Sequence, residues 1–446
     1  MKRFIDLHLN EWVTDLDRKP LLLRGARQVG KTFAVRCLGK NFASYVEVNC
    51  EEMENACKAI FEKDLQPKRI LTELSLLLGK QITPGETLLF IDEIQIVPRA
   101  ILALRYFYEK IPELHVIAAG SLIEFAIEKV GIPVGRIDSF YLYPMNWLEF
   151  LFAKGEDLLC GAIFEKDLHD PMPDAIHKKL LGLLGEYFAL GGMPKVVSKW
   201  INSGDPYLCF KIQTALIDDY KQDFEKYAKK HEVKYVEVLF AEVPRQLGHK
   251  FQFKDVPGEY RKRELAPCFD LLVKAGVVHP VYHTSAQGLP LGAQADLNKF
   301  KAVFFDVGLA QTILGLDLKE WFLDPGNAFV NHGNIVEAFV GQEIISYSHI
   351  FQKKDLYYWH RESRTSTAEI DYVIQNKQDI IPIEVKSGVT GHMKSLVEFL
   401  RSHPNSPYSI RFSGHNYSDF NTLCSYPLYA IAKALGIYGD STPNLK

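Results

Sequence analysis

The chain has 446 residues, 47% hydrophobic and 24% charged. At roughly 100–200 residues per domain that implies two to four domains, in a balance that excludes a disordered chain, a fibrous repeat and a membrane bundle. Lys plus Arg number 52 against 55 Asp plus Glu, a net charge of -3. No global positive field attracts nucleic acid, so DNA as a partner would need a local patch.

The seven cysteines are scattered and contain no C-x-x-C pair. That argues against a disulfide framework or zinc module and fits a reducing compartment. The N-terminus lacks the apolar run of a signal peptide, and no stretch reaches a membrane-spanning length. The expectation is a cytoplasmic protein without membrane contact.

Candidate strands lie at 20–24, 43–49, 87–91, 114–118 and 139–143, most of them separated by amphipathic stretches. This reads as repeated βα units, hence an α/β fold with a mainly parallel sheet over 1–150. The segment 151–232 is a helical linker or lid, most clearly from about 175 onward. Over 233–325, helices near 234–247 and 258–275 precede a hairpin, the pattern of a winged helix. From 326 to 446 a helix, GNIVEAFVGQEIISY, leads into AEIDYVIQ and IIPIEVK, a second α/β unit.

The sharpest chemical signal is Gly25, Ala26, Arg27, Gln28, Val29, Gly30, Lys31 and Thr32, which fits G-x-x-x-x-G-K-[ST] at every position. Glycines let backbone N–H groups curl around phosphate oxygens. The lysine reaches the β and γ phosphates, and the threonine hydroxyl ligates Mg2+. The helix that begins here and carries Phe33 points its positive end at the anion. PLLLR precedes as a strand and TFAVRCLGK follows as a helix, the context the motif requires. ATP with Mg2+ is the expected ligand pair.

LLFID ends in Asp92 and Glu93. Asp92 is the candidate Mg2+ anchor and Glu93 the base for an attacking water; the bland alternative is a helix cap. Ser121, after the strand LHVIA, is either a sensor of the γ-phosphate or a cap. Arg136, in the loop Gly131–Arg136, either stabilises phosphoryl charge, in cis or from a second copy in a homo-oligomer, or forms a surface salt bridge.

LLLRGARQVGKT, LLFIDEIQIVP, VIAAGSLIEF and IPVGRIDSFYLYPMNWLEFL, in this order, resemble a prokaryotic family of AAA-type P-loop ATPases with a C-terminal domain of unknown function. ALGGMPKVV and DDYKQDFEKY resemble its next landmarks. The resemblance implies an ASCE-class P-loop fold, a helical and winged-helix region, then a nuclease-like fold. Ala119-Gly120-Ser121 stands where members often show Gly-Ser-Ser, which weakens the sensor assignment.

A second constellation, Asp371 followed by Glu384-Val-Lys386, resembles the D-x(n)-E-x-K pattern of a PD-(D/E)XK nuclease core. There Asp371 and Glu384 would hold metal, Lys386 would steady water or phosphate, and Glu337 would be the fourth member. Glu343 points away from Glu337. Strand periodicity puts Glu384 and Lys386 on one face. A hairpin closing at Asn376 and Asp379 would set Asp371 opposite Glu384. The alternative is a half-buried strand with no chemistry.

Tyr357, Tyr358 and Trp359, beside His360, Arg361 and Arg364, are either base-stacking residues or strand core. Arg261, Lys262 and Arg263 open a helix and suit either phosphate contact or protein docking. Lys221, Lys226, Lys229 and Lys230 read as a solvated helix face. The functional expectation is an Mg2+-dependent ATPase coupled to a DNA-binding or nuclease-like C-terminal domain. The alternative is a nucleotide-controlled switch that binds partners without cleaving DNA.

Overall fold

The structure, a computed structural model, describes residues 1–361, 368–386 and 393–436. Arg364 lies outside the described residues.

The first sheet is built from β1 (Leu21–Arg24), β2 (Ser44–Asn49), β3 (Thr87–Asp92), β4 (His115–Ala119) and β5 (Asp138–Tyr141). All neighbours are parallel, in the order β2-β3-β4-β1-β5. Every residue of β3 and β4 is buried, as an apolar run covered on both faces should be. Period-two alternation divides these strands between two cores. Leu21, Leu23, Leu88 and Phe90 face one helical layer, and Leu22, Leu89 and Ile91 face the other. β4 sits between β1 and β3, so the phosphate-loop strand and the acid-bearing strand are not adjacent. The fold is α/β, with the parallel sheet of a P-loop NTPase at its N-terminus.

The segment 151–232 is helical, and its longest helices are Asp174–Leu190 and Pro206–Tyr227. Asp205 caps the latter by accepting from the Tyr207 and Leu208 N–H groups, with Pro206 in the first turn. Its Tyr220 and Phe224 pack against Phe240 of the helix Val233–Glu242. The helix Lys262–Lys274 packs alongside.

The second sheet contains β6 (Val278–Thr284), β7 (Ala295–Phe304), β8 (Leu356–His360), β9 (Glu369–Asn376), β10 (Asp379–Lys386), β11 (Ser409–Ser413), β12 (Ser418–Phe420) and β13 (Leu423–Pro427). Its order is β12-β13-β11-β10-β9-β8-β6-β7. The hairpin expected as the wing of 233–325 is β6–β7, and β6 also pairs in parallel with β8. The wing therefore continues into the sheet of the last segment. Largely buried along its length, β6 takes a strand on each side. The helix Gly333–Ser346 packs against this sheet, and one apolar core runs from β1 through the helices Asp174–Leu190 and Pro206–Tyr227 to Ile381, Ile383 and Phe412.

Candidate functional site: a phosphate loop braced by a distant helix

The loop between β1 and the helix Lys31–Gly39 has Gly25 at φ 141° and Gly30 at φ 104°. Such angles favour glycine. At Gly25 a Cβ would also overlap the Leu142 carbonyl oxygen. Arg3 braces the loop from behind. Its guanidinium donates to the Val29 carbonyl at 3.0 Å and the Tyr143 carbonyl at 2.8 Å, and pairs with Glu149 at 2.9 Å. Lys31 Nζ donates to the carbonyls of Gly25 and Ala26, each at 2.8 Å. Burial pushes this ammonium down to about 8, while Glu93 and Asp92 pull the other way. Phe33 is exposed.

Asp92 ends β3 facing the loop. Thr32 Oγ1 donates to Asp92 Oδ2 at 2.8 Å, and the Glu93 N–H donates to Oδ1 at 3.0 Å. Burial raises the Asp92 carboxyl above its ordinary range. Together, the Thr32 hydroxyl and the Asp92 carboxylate are a hard-oxygen donor set of the kind Mg2+ takes. Glu93 has left-handed backbone angles, φ 50° and ψ 42°, which a non-glycine residue adopts at a cost. Its Oε2 accepts from Gln95 Nε2 at 2.5 Å. The strain and the Gln95 contact set the Glu93 carboxylate apart from that of Asp92.

Ser121 lies past β4 and caps no helix; the helix Ile123–Val130 begins after Leu122 without a side-chain cap. With Arg27, Glu93, Gln95 and Asp223, Ser121 lines a cavity of about 300 Å³. Arg136 lies elsewhere. It precedes β5, whose Asp138 pairs with Leu21 at the start of β1, and it bonds Glu109 at 3.1 Å. That is the end of the sheet where β1 begins, opposite the end where the loop leaves it, so within one chain Arg136 does not meet the phosphate site.

The helix Pro206–Tyr227 forms a wall that motif reading did not supply. The Arg27 guanidinium is ion-paired to Asp223. Gln28 Nε2 donates to Asp219 Oδ2 at 2.8 Å, and Tyr220 OH donates to the Arg27 carbonyl at 2.5 Å. Lys226 lies on an exposed face, as expected, and there bonds Glu51 at 2.8 Å. Tyr227 stacks on Phe125, with centroids 5.0 Å apart and planes at 19°. The available signal was DDYKQDFEKY itself, read above only as a family landmark.

In the second sheet, β9 and β10 pair with Asp379 opposite Asn376 and Ile383 opposite Tyr372. This register sets Asp371 beside Glu384, as the turn chemistry predicted. Asp371 Oδ2 accepts from the Val385 N–H at 2.8 Å, and Lys386 pairs with Glu384. Glu337 joins the cluster; Glu343 instead accepts from the Trp147 N–H at 3.2 Å. Lys301 of β7, which motif reading missed, lies 2.6 Å from Glu369, 3.0 Å from Glu337 and 3.7 Å from Asp371. Among the described residues no three His, Cys, Asp or Glu side chains converge as a metal-holding group. Of the expected metal set, Glu337 and Asp371 thus meet the Lys301 ammonium, while Glu384 is paired with Lys386. Burial, then the charge of Asp371, pushes Glu337 and Glu384 each up to about 7.

Tyr358 and Trp359 are buried, in line with the core reading. Arg261, Lys262 and Arg263 are exposed at the start of their helix.

The loop, the acid pair beyond an intervening strand and the strand order together are those of a P-loop NTPase domain. Residues 17–151 match the family described as "AAA domain". Residues 181–320 and 332–430 match two domains of unknown function, DUF8612 and DUF4143. No curated protein matches the chain. Among solved structures, a Walker-type ATPase of Pyrococcus abyssi is 16% identical with a TM-score of 0.44, over 70% of this chain and 95% of that one. The Drosophila ORC bound to DNA is 14% identical with a TM-score of 0.24, over 70% and 85%. A STAND protein of Pyrococcus horikoshii, a signal-transduction ATPase with a tetratricopeptide repeat sensor, is 12% identical with a TM-score of 0.28, over 78% and 48%. Among the described residues no helix is long and apolar enough to cross a membrane.

Proposed function

We propose that the protein binds and hydrolyses ATP with Mg2+ at the loop 25–32 and relays the state of that site to its C-terminal half. The observation that carries this reading is the Thr32–Asp92 hydrogen bond at 2.8 Å, with Glu93 turned out beside it. In this role the loop amides and Lys31 hold the phosphates, and Thr32 and Asp92 hold Mg2+, which supplies charge neutralisation. Glu93 orients water and takes its proton, held in place by Gln95. Ser121 faces the same cavity and is placed to report on the terminal phosphate. Arg27, through Asp223, is the relay.

The C-terminal half is the part that the relay moves. The Asp371–Glu384 register supports a nuclease-like core, and exposed Arg261, Lys262 and Arg263 are the candidate DNA-contacting patch. Reversing these three charges should abolish salt-sensitive duplex binding if DNA is the partner. DNA cleavage as a second reading is tested on plasmid with Mg2+ or Mn2+, against Asp371→Ala. Light scattering with and without ATP tests whether a second copy brings Arg136 to the site.

The relay is tested by amide hydrogen exchange with and without ATP. Slower exchange at 25–32 accompanied by altered exchange in the helix Pro206–Tyr227 is expected. A change confined to the loop would contradict the relay.

A further inference from the structure

We infer that the Lys301 ammonium takes the place that a divalent cation holds in a working nuclease core, closing the C-terminal carboxylate cluster without metal. This rests on the nuclease-like reading of β9 and β10 and says how that core is used: as a binding scaffold whose acids are already engaged by lysines.

Lys301 is 2% exposed, and it reaches the acids from β7, two strands removed from β9 by β6 and β8. Its ammonium is 2.6 Å from Glu369, 3.0 Å from Glu337 and 3.7 Å from Asp371. The Tyr358 ring covers it, with the centroid 5.4 Å away, which adds a cation–π contact. Two further oxygens of the cluster are also engaged. Asp371 Oδ2 takes the Val385 N–H, and Glu384 Oε1 takes Lys386. Among the described residues, Glu384 Oε2 is buried with no protein donor. Mg2+ and Mn2+ need several oxygens at close, regular distances. Drawing Glu337 and Asp371 onto such an ion would expel Lys301 and leave a buried cation unpaired, which is strongly unfavourable.

The probe is Mn2+ alone, added to the full-length nucleotide-free protein and followed by the electron paramagnetic resonance of free Mn2+. Asp92→Asn identifies any contribution from the phosphate loop. The parent should show no Mn2+ site that Glu384→Gln removes. Lys301→Met should gain one site at least tenfold tighter than anything in the parent, and Lys301→Met/Glu384→Gln should lose it.

A parent site abolished by Glu384→Gln overturns the inference and leaves the nuclease-like reading standing. A folded Lys301→Met that gains no site overturns it too, and the nuclease-like reading of these carboxylates falls with it. Lys301→Gln replaces Lys301→Met if the latter does not fold. If neither folds, the comparison of parent with Glu384→Gln decides alone.

Discussion

Arg27 of the phosphate loop and Asp223 of the helix Pro206–Tyr227 form an ion pair between residues 196 positions apart in the chain. Asp223 is buried while Arg27 is partly open to the cavity shared with Glu93 and Ser121. In the proposed relay, an incoming polyphosphate would compete with Asp223 for the guanidinium. Asp223→Ala should therefore tighten ATP binding, by about tenfold if the coupling is of ordinary size. Titration with a fluorescent ATP analogue measures this, and an unchanged affinity would remove Asp223 from the relay.

Gly25 and Gly30 should differ in their response to a methyl group. At Gly25 both the backbone angle and the Leu142 carbonyl oppose it; at Gly30 the nearest atom, on Arg3, is 3.5 Å away. Gly25→Ala should cost roughly 1–3 kcal/mol of stability and abolish ATP binding. Gly30→Ala should cost less stability. Urea unfolding of both variants makes the comparison, and equal losses would show that the Leu142 contact is unimportant.

Glu343 provides a pH prediction. Buried against the Trp147 N–H, its carboxyl is pushed up to about 8 by desolvation. The unfolded chain loses that proton near the ordinary value of 4.5. Between these values the folded state holds a proton that the unfolded state has released, so stability falls as pH rises from about 4.5 to 8. Glu337 and Glu384, each raised to about 7, act in the same direction. Urea midpoints at pH 5 and pH 8 should differ in that sense, and Glu343→Gln should shrink the difference. A midpoint gap that Glu343→Gln leaves intact would assign the slope to other groups.

The phosphate site was legible because its parts are local. Gly25 to Thr32 are consecutive, and Asp92 and Glu93 end an apolar strand whose burial follows from its composition. The Asp371–Glu384 pairing was legible because a tight turn fixes register by counting. The missed residues come from far away in the chain. Asp223 and Lys301 look like ordinary helix and strand charges until tertiary packing brings them to Arg27 and Glu369. The hairpin β6–β7 read as a wing because two helices precede it; its pairing with β8 is non-local and leaves no mark on its own sequence.

The most direct test of the central claim is the ATP turnover of Glu93→Gln beside the parent and Lys31→Ala, at saturating ATP and Mg2+. The parent should hydrolyse ATP. Glu93→Gln should bind it comparably and turn over about 10²–10⁴-fold more slowly, as expected for loss of a positioned base. Lys31→Ala should lose binding. Hydrolysis at the parental rate in both variants would place the chemistry elsewhere.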